Sequence, residues 1–322
     1  MVVPKVYALA RKLFVAFLAF VLVDCVEKEA DVYLFSFFQG NGEDGLHLAY
    51  SEDGMHWEAL GNNRSFLTPS VGDDKLMRDP CIIKGPDGKF HMVWTVSWNE
   101  RGIGYSNSED LIHWSEQQYI PVMHHEADAR NAWAPELFYD EAISNYVILW
   151  ASTIPGRYPE TDSLGDNGYN HRMYATITSD FQEFSPTTVL FDQGFNVIDA
   201  TLLQHEGSYW MFLKDETLLP NAEKNIKIAK SDHVLGPWSK ATEPISHNWV
   251  EGPTICKVND AWIIYFDQYT QGKMGAIRST DLTDWTDISD SIQFPEGTRH
   301  GTVLKVNKGI VEAIQQQFPK QP

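Results

Sequence analysis

Arg78-Asp79-Pro80-Cys81-Ile82-Ile83 opens a short apolar run on an acidic residue, and the same design returns along the chain. The other openings are Ala134-Pro135-Glu136, Ile198-Asp199-Ala200, Glu251-Gly252-Pro253 and Arg299-His300-Gly301. The first four runs are each followed by a polar turn and a second apolar, aromatic-rich run, at residues 90–95, 146–152, 209–214 and 262–266. Short runs of this composition bounded by turn residues read as strands. Recurrence at this scale marks a repeat architecture. If the units surround an axis, four carboxylates and one imidazole meet near one end of it.

A second periodic mark lies between the first. Ser51-Glu52-Asp53, Ser108-Glu109-Asp110, Ser179-Asp180, Ser231-Asp232 and Ser279-Thr280-Asp281 each follow a strand-like run. An aromatic comes four residues after the Asp in four copies (Trp57, Trp114, Phe184, Trp285) and six after it in the other, Trp238. Ser and Asp favour such turns because their side chains bond nearby backbone N–H groups. The Asp positions are 57, 70, 52 and 49 residues apart, which is propeller-blade spacing. The chain starts on a turn mark and ends on a strand-start mark. Strands expected at 31–38 and 46–51 therefore lack an inner partner, and the strand expected at 300–306 lacks outer ones. Pairing them completes a fifth blade and leaves few open edges. The sequence thus predicts an all-β, five-bladed β-propeller over residues 31–316, closed by its N- and C-terminal strands.

Net charge is −19, which excludes nucleic acid as a partner by repulsion from phosphates. Lys5, Arg11 and Lys12 precede an apolar stretch at 13–23, too short to span a bilayer and suited to a signal peptide over residues 1–25. Leu22-Val23-Asp24-Cys25 resembles a bacterial lipoprotein cleavage box, although Asp24 departs from the small residue expected there. Export to the periplasm, cell surface or medium is expected, with membrane attachment only through a lipid on Cys25. Cys81 and Cys256 lie in different predicted blades with no metal-ligand spacing, and are expected to be buried free thiols.

Hydrolysis of a glycosidic bond needs two carboxyl groups facing each other across it, one protonated and one ionised. A third carboxylate nearby raises the acid's pKa by repulsion. Asp79, Asp199 and Glu251 supply such a set. A single strand-start carboxylate usually caps a turn; three in register point to chemistry.

The ordered series Arg78-Asp79-Pro80, Trp133-Ala134-Pro135-Glu136-Leu137, Val197-Ile198-Asp199-Ala200, Val250-Glu251-Gly252-Pro253 and His300-Gly301-Thr302-Val303 resembles glycoside hydrolase family 43 over nearly the whole chain after the signal region. The resemblance implies a five-bladed propeller acting on plant or algal polysaccharides with inversion. It implies Asp79 as general base, Asp199 as the group that tunes and holds the acid, and Glu251 as general acid. It also implies a calcium ion held through water near His300. No other cofactor is expected. Two departures stand out: some fifty residues precede the Asp-Pro motif after the signal region, and Glu136 stands where Asp is common. Glu136 is expected to be structural. The propeller family that includes invertases shares an Arg-Asp-Pro motif, but its first-blade Asn-Asp-Pro-Asn is absent here.

Trp98 and Trp133 are candidate stacking surfaces for sugar rings. Arg299 is a candidate donor to sugar hydroxyls. The long loop at 153–172 carries aromatic, His and Arg residues, among them His171 and Arg172, and suits an ordered wall that blocks one end of a cleft. A blocked cleft implies release of terminal sugars. The expected enzyme is an exo-acting β-xylosidase or α-L-arabinofuranosidase, with a terminal galactosidase or a non-catalytic sugar-binding propeller as alternatives. Its partner is an oligo- or polysaccharide.

Overall fold

The computed structural model describes residues 31–320. The basic flank, the apolar stretch and Cys25 lie outside the described residues. Five antiparallel sheets form the five blades of a propeller. Blade I consists of Thr302–Asn307, Asp31–Phe37, His47–Ser51 and Glu58–Ala59. Blade II holds Arg78–Lys84, Phe90–Thr95, Ile103–Ser108 and Gln118–Ile120. Blade III holds Trp133–Asp140, Asn145–Thr153, His171–Thr178 and Thr188–Phe191. Blade IV has three strands, Val197–His205, Ser208–Asp215 and Asn225–Ser231. Blade V comprises Glu251–Val258, Ala261–Gln268, Lys273–Ser279 and Thr286–Asp287. The inner strands contact one another in ring order, with Thr302–Asn307 lying between those of blades V and II.

The ring closes as the two kinds of repeat mark require. Asp31–Phe37 pairs with the C-terminal Thr302–Asn307 from Asp31↔Asn307 to Ser36↔Thr302, and with His47–Ser51 on its other side. Blade IV lacks a regular outer strand. Its edge is instead covered by an irregular segment whose Ser239, Thr242 and Ile245 N–H groups donate to Lys230, Ile228 and Ile226. Pro237 precedes those contacts and Pro244 falls between the last two, and a proline has no N–H to give a ladder. A helix outside the repeat, Lys308–Gln317, follows the closing strand. Asn307 caps it by accepting from Gly309 N, and Val311 and Ile314 bury its inner face.

The Asp turns sit on the rim opposite the strand starts. Asp53 Oδ1 accepts the N–H groups of Met55 and His56, while Ser51 Oγ accepts that of Gly54. Asp110 and Asp281 repeat this with Ser108 and Ser279. In blade III the hydroxyl comes from Thr178, two residues before Asp180, and not from Ser179. Four copies therefore share a hydroxyl-x-Asp turn, and blade IV departs from it: His233 N donates to Ser231 Oγ.

Five apolar clusters fill the five spaces between blades. The one between blades I and V centres on Phe35, which is fully buried and packs edge-on against Trp57, Tyr265 and Phe294. Phe35 belongs to the N-terminal strand of the closing blade, so its contacts join chain regions far apart in sequence. Phe35→Ala should cost about 3–5 kcal/mol, the range for removing a buried aromatic. Chemical denaturation checks it: the midpoint should fall with an unchanged slope.

Candidate active site

Four inner strands begin with the same local break. The ladder register shifts between Arg78 and Cys81, Trp133 and Glu136, Ile198 and Thr201, and Glu251 and Thr254. Within each break one residue takes the left-handed conformation: Asp79 (φ 53°), Ala134 (φ 46°), Asp199 (φ 51°) and Gly252 (φ 60°). A bulge of this kind re-aims side chains at the mouth of a sheet. Asp79 and Asp199 are thus true equivalents, and their partners in blades III and V are Ala134 and Gly252. Glu251 stands one place earlier, in register with Arg78, Trp133 and Ile198. At the Gly252 position a Cβ would lie 2.2 Å from His300 Cγ, so glycine is required there for His300 to pack against the backbone.

These bulges surround a cavity of about 280 Å³, lined by Arg78, Asp79, Thr95, Trp98, Trp133, Ala134, Ile198, Asp199, Glu216, Glu251, Tyr269, Arg299 and His300. The three candidate catalytic carboxylates meet there, as do Trp98, Trp133, Arg299 and His300. Glu136 does not. It lies one layer below, buried, accepting a bond from Cys81 Sγ at 3.1 Å. Burial pushes its carboxyl up to about 7, partly offset by Cys81 and by the charge of His300. Cys81 and Cys256 are both buried free thiols, though Cys81 also accepts from Leu137 N at 3.3 Å and so fixes the blade III bulge.

His300 sets the electrostatics of the axis. Its Nδ1 lies 3.2 Å from Asp79 Oδ1. Burial opposes the imidazolium, but the bond to Asp79 and the charges of Asp199 and Glu251 outweigh it and lift its pKa to about 9. Burial would likewise raise Asp79; the bond and charge of His300, the charge of Arg78 and a 2.8 Å bond from Thr95 Oγ1 hold it down at about 2. Asp79 is therefore an anion at every working pH. Asp199 behaves differently. Burial, with repulsion from Glu251 and Asp79, pushes it up to about 6 against the pull of His300 and Lys214. Its Oδ2 accepts the Gly252 N–H at 3.0 Å, which ties it to the residue beside Glu251.

Glu251 is held from two sides. Lys214 Nζ lies 3.1 Å from Oε2 and Arg299 Nη2 3.3 Å from Oε1. Arg299 Nε also reaches Asp267 Oδ2 at 2.5 Å. Lys214 is itself fully buried and pairs with Glu216 at 2.6 Å. Lys224 holds the other oxygen of Glu216. Lys214, Glu216 and Tyr269 were not singled out from the sequence. Their signal is register: Lys214 pairs with Ile198 as Thr95 pairs with Arg78 and Asp267 with Glu251. A lysine closing an apolar run was visible in Trp210-Met211-Phe212-Leu213-Lys214.

His171 and Arg172 require correction as sugar contacts, because neither lines the cavity. Arg172 is fully buried, donating to Asp192 Oδ1 at 2.5 Å, Asn170 Oδ1 at 3.0 Å and Thr161 Oγ1 at 2.8 Å. It is the anchor of the long loop. His171 is buried, bonded to Asn196 Oδ1, and desolvation pushes its pKa down to about 4. The loop does emerge at the cavity rim, since Ala151 near its root pairs with Trp133. Its Tyr169 ring lies 4.6 Å from Trp133 and stacks on His171. The loop therefore backs the Trp133 wall and does not itself touch the cavity.

The calcium ion implied near His300 would be held through water, so it asks for no direct set of side-chain ligands there. Among the described residues no group of three or more His, Cys, Asp or Glu side chains could hold a metal ion.

His300→Gln has a predictable signature. The folded-state pKa of His300 is raised from 6.5 to about 9, so its contribution is full below pH 6.5 and lost as pH rises through 9. That of Asp79 is lowered from 3.8 to about 2, so its contribution is full above pH 3.8 and lost as pH falls through 2. The pair is complete between pH 3.8 and pH 6.5. The variant should be less stable than the parent by about 3 kcal/mol near pH 5, the scale for breaking a buried pair. The gap should close above pH 9. Thermal melts from pH 4 to 10 measure it, and a gap that does not vary with pH would contradict the assignment.

Residues 28–312 match the family 43-related model described as a probable glycosyl hydrolase domain. An α-L-arabinofuranosidase of Bifidobacterium longum subsp. longum is 25% identical over a 199-residue alignment that covers 55% of this chain. The match spans only 18% of that relative's length. Among solved structures, a family 43 β-1,3-galactosidase superposes with a TM-score of 0.58 at 14% identity, covering 81% of this chain and 57% of that one. A family 43 protein from Bacillus licheniformis gives 0.56 at 14% identity, covering 84% and 54%. At such identities the structural likeness is one of fold.

Proposed function

The chain belongs to glycoside hydrolase family 43, and we propose that its axial cavity cleaves terminal sugars from an oligo- or polysaccharide with inversion of configuration. One observation carries this reading: Asp79 and Asp199 occupy the same bulge position in two blades, and both converge with Glu251 around the single ring of His300. In the proposed reaction Asp79 removes a proton from a water as the water attacks the anomeric carbon. Glu251 in its acid form gives its proton to the leaving oxygen, and the C–O bond breaks. Asp79 then carries the water's proton and Glu251 is left as the carboxylate. Asp199 orients the Glu251 segment through Gly252 N and adds negative charge beside the acid. Arg299 and Lys214 fix where Glu251 points.

A volume of about 280 Å³ falls at the small end of ligand pockets, commonly about 300–1,000 Å³. That size, and the Trp133 wall braced by the long loop, support exo-action on a single terminal unit. A pentose, xylose or arabinofuranose, is the leading substrate. Terminal galactose is the second reading, favoured by the fold likeness to a β-1,3-galactosidase. Export, with processing at Cys25, is proposed on the basic and apolar pattern of the first 25 residues.

A panel of nitrophenyl glycosides (β-D-xyloside, α-L-arabinofuranoside, β-D-galactoside) tests the proposal, with Asp79→Asn as control. Turnover of one member that is lost in the control supports it. Binding without turnover of any glycoside or oligosaccharide would make the protein a sugar-binding propeller.

A further inference from the structure

Large apolar side chains that stand well exposed are few among the described residues, and two of them are indoles: Trp98 and Trp249, each 41% exposed. Trp98 belongs to the cavity lining. Trp249 does not, yet it lies at the same rim, two residues before Glu251. Its ring centroid is 6.5 Å from that of Tyr269, which does line the cavity. The Trp249 backbone is left-handed, with φ 68°. A bulky residue seldom adopts that conformation, and where it does so the surrounding structure must impose it. Here the constraint is visible. The next residue, Val250, is fully buried and its N–H donates to Lys224 O, while Glu251 begins the inner strand. The chain thus holds an exposed indole at the cavity mouth on a fixed, strained backbone, where a polar residue would carry less cost in water.

We infer that Trp249, with Tyr269 beside it, is the platform for a second sugar unit, on the leaving side of the cleaved bond. This rests on the assignment of Glu251 as general acid. The acid must face the leaving oxygen, and Trp249 and Tyr269 both stand on the Glu251 side. Glu251 pairs with Asp267, two residues before Tyr269. Trp98, stacked against Arg78 beside Asp79, lies with the base. The ligand chemistry is a neutral sugar ring, whose apolar C–H face matches an indole face while its hydroxyls stay in water. The preferred substrate is then an oligosaccharide of two or more units, recognised on both sides of the scissile bond.

The test reads binding apart from cleavage. In a Glu251→Gln background, titration calorimetry compares each free monosaccharide with its dimer: xylose with β-1,4-xylobiose, arabinose with α-1,5-arabinobiose, galactose with β-1,3-galactobiose. One dimer should bind about tenfold more tightly than its monomer. Trp249→Ala and Trp249→Gly should erase that increment and leave monomer affinity unchanged; Trp249→Phe should keep most of it. The Gly variant also removes the backbone strain, so its loss of affinity cannot be assigned to unfolding. Equal loss for monomer and dimer, an increment that survives in Trp249→Gly, or no dimer binding better than its monomer would each overturn the platform. If the increment behaves as expected but the parent protein cleaves none of the sugars it binds, Trp249 remains a platform for a second sugar unit, while its leaving-side placement and the hydrolase reading both fall.

Discussion

Glu251→Gln should lower kcat/KM by about 10²–10⁴-fold on oligosaccharides while costing far less on nitrophenyl glycosides. A general acid contributes that range when the leaving oxygen must be protonated as it departs. Nitrophenolate leaves without a proton, so the acid matters little to it. The substitution suits the site. Lys214 is buried and would be destabilising if stripped of partners, but it keeps Glu216 at 2.6 Å. Arg299 keeps Asp267 at 2.5 Å. The fold should therefore survive, which circular dichroism can verify before kinetics. Equal losses on both substrate classes would remove Glu251 from the acid role and direct attention to Asp199, whose carboxyl is lifted to about 6 in the same cavity.

The architecture was legible from the sequence because it is periodic in two independent ways. The strand starts gave the inner strands, the Asp turns gave the opposite rim, and their order gave the closure through Asp31–Phe37 and Thr302–Asn307. The helix Lys308–Gln317 was not legible, since it belongs to no repeat. The catalytic candidates were legible because carboxylates at strand starts are costly to leave unexplained. Their equivalence was misjudged, however. Motif position placed Glu136 beside Asp79, whereas the bulge puts Ala134 there and drops Glu136 one layer below, beside Cys81. A bulge adds a residue on one strand only, and a linear motif does not show where. His171 and Arg172 were misjudged for a related reason. A polar residue at the end of a loop can face the cleft or tie the loop down, and composition is the same in both cases. Arg172 has three partners beneath the loop. Lys214 and Glu216 became visible only when the second strands were laid in register, which needs the ladder itself.

Asp79→Asn should remove nearly all turnover on both substrate classes, and the parent enzyme should release its first product with inverted anomeric configuration. The two expectations share one cause. Asp79 is ionised because His300, Arg78 and Thr95 outweigh its burial, and a permanent anion at the cavity floor is suited to take a proton from water. The amide in Asp79→Asn cannot do so, and general-base losses of about 10²–10⁴-fold follow whatever the leaving group. Geometry then selects the stereochemistry. Asp79 opens the inner strand of blade II and Glu251 that of blade V, with blade I between them. His300, at the start of blade I, also intervenes on the axis, 3.2 Å from Asp79 and packed over Gly252. Carboxyls placed in non-adjacent blades would face each other across a gap that admits a water. Inverting enzymes need about 6.5–9.5 Å for that purpose, against about 5–5.5 Å for a direct nucleophile. Proton NMR of a fresh reaction, read before mutarotation, decides between the two. A retained anomer, or a sugar trapped covalently on Asp79, would make Asp79 a nucleophile and overturn the mechanism, while the five blades and their converging bulges would stand.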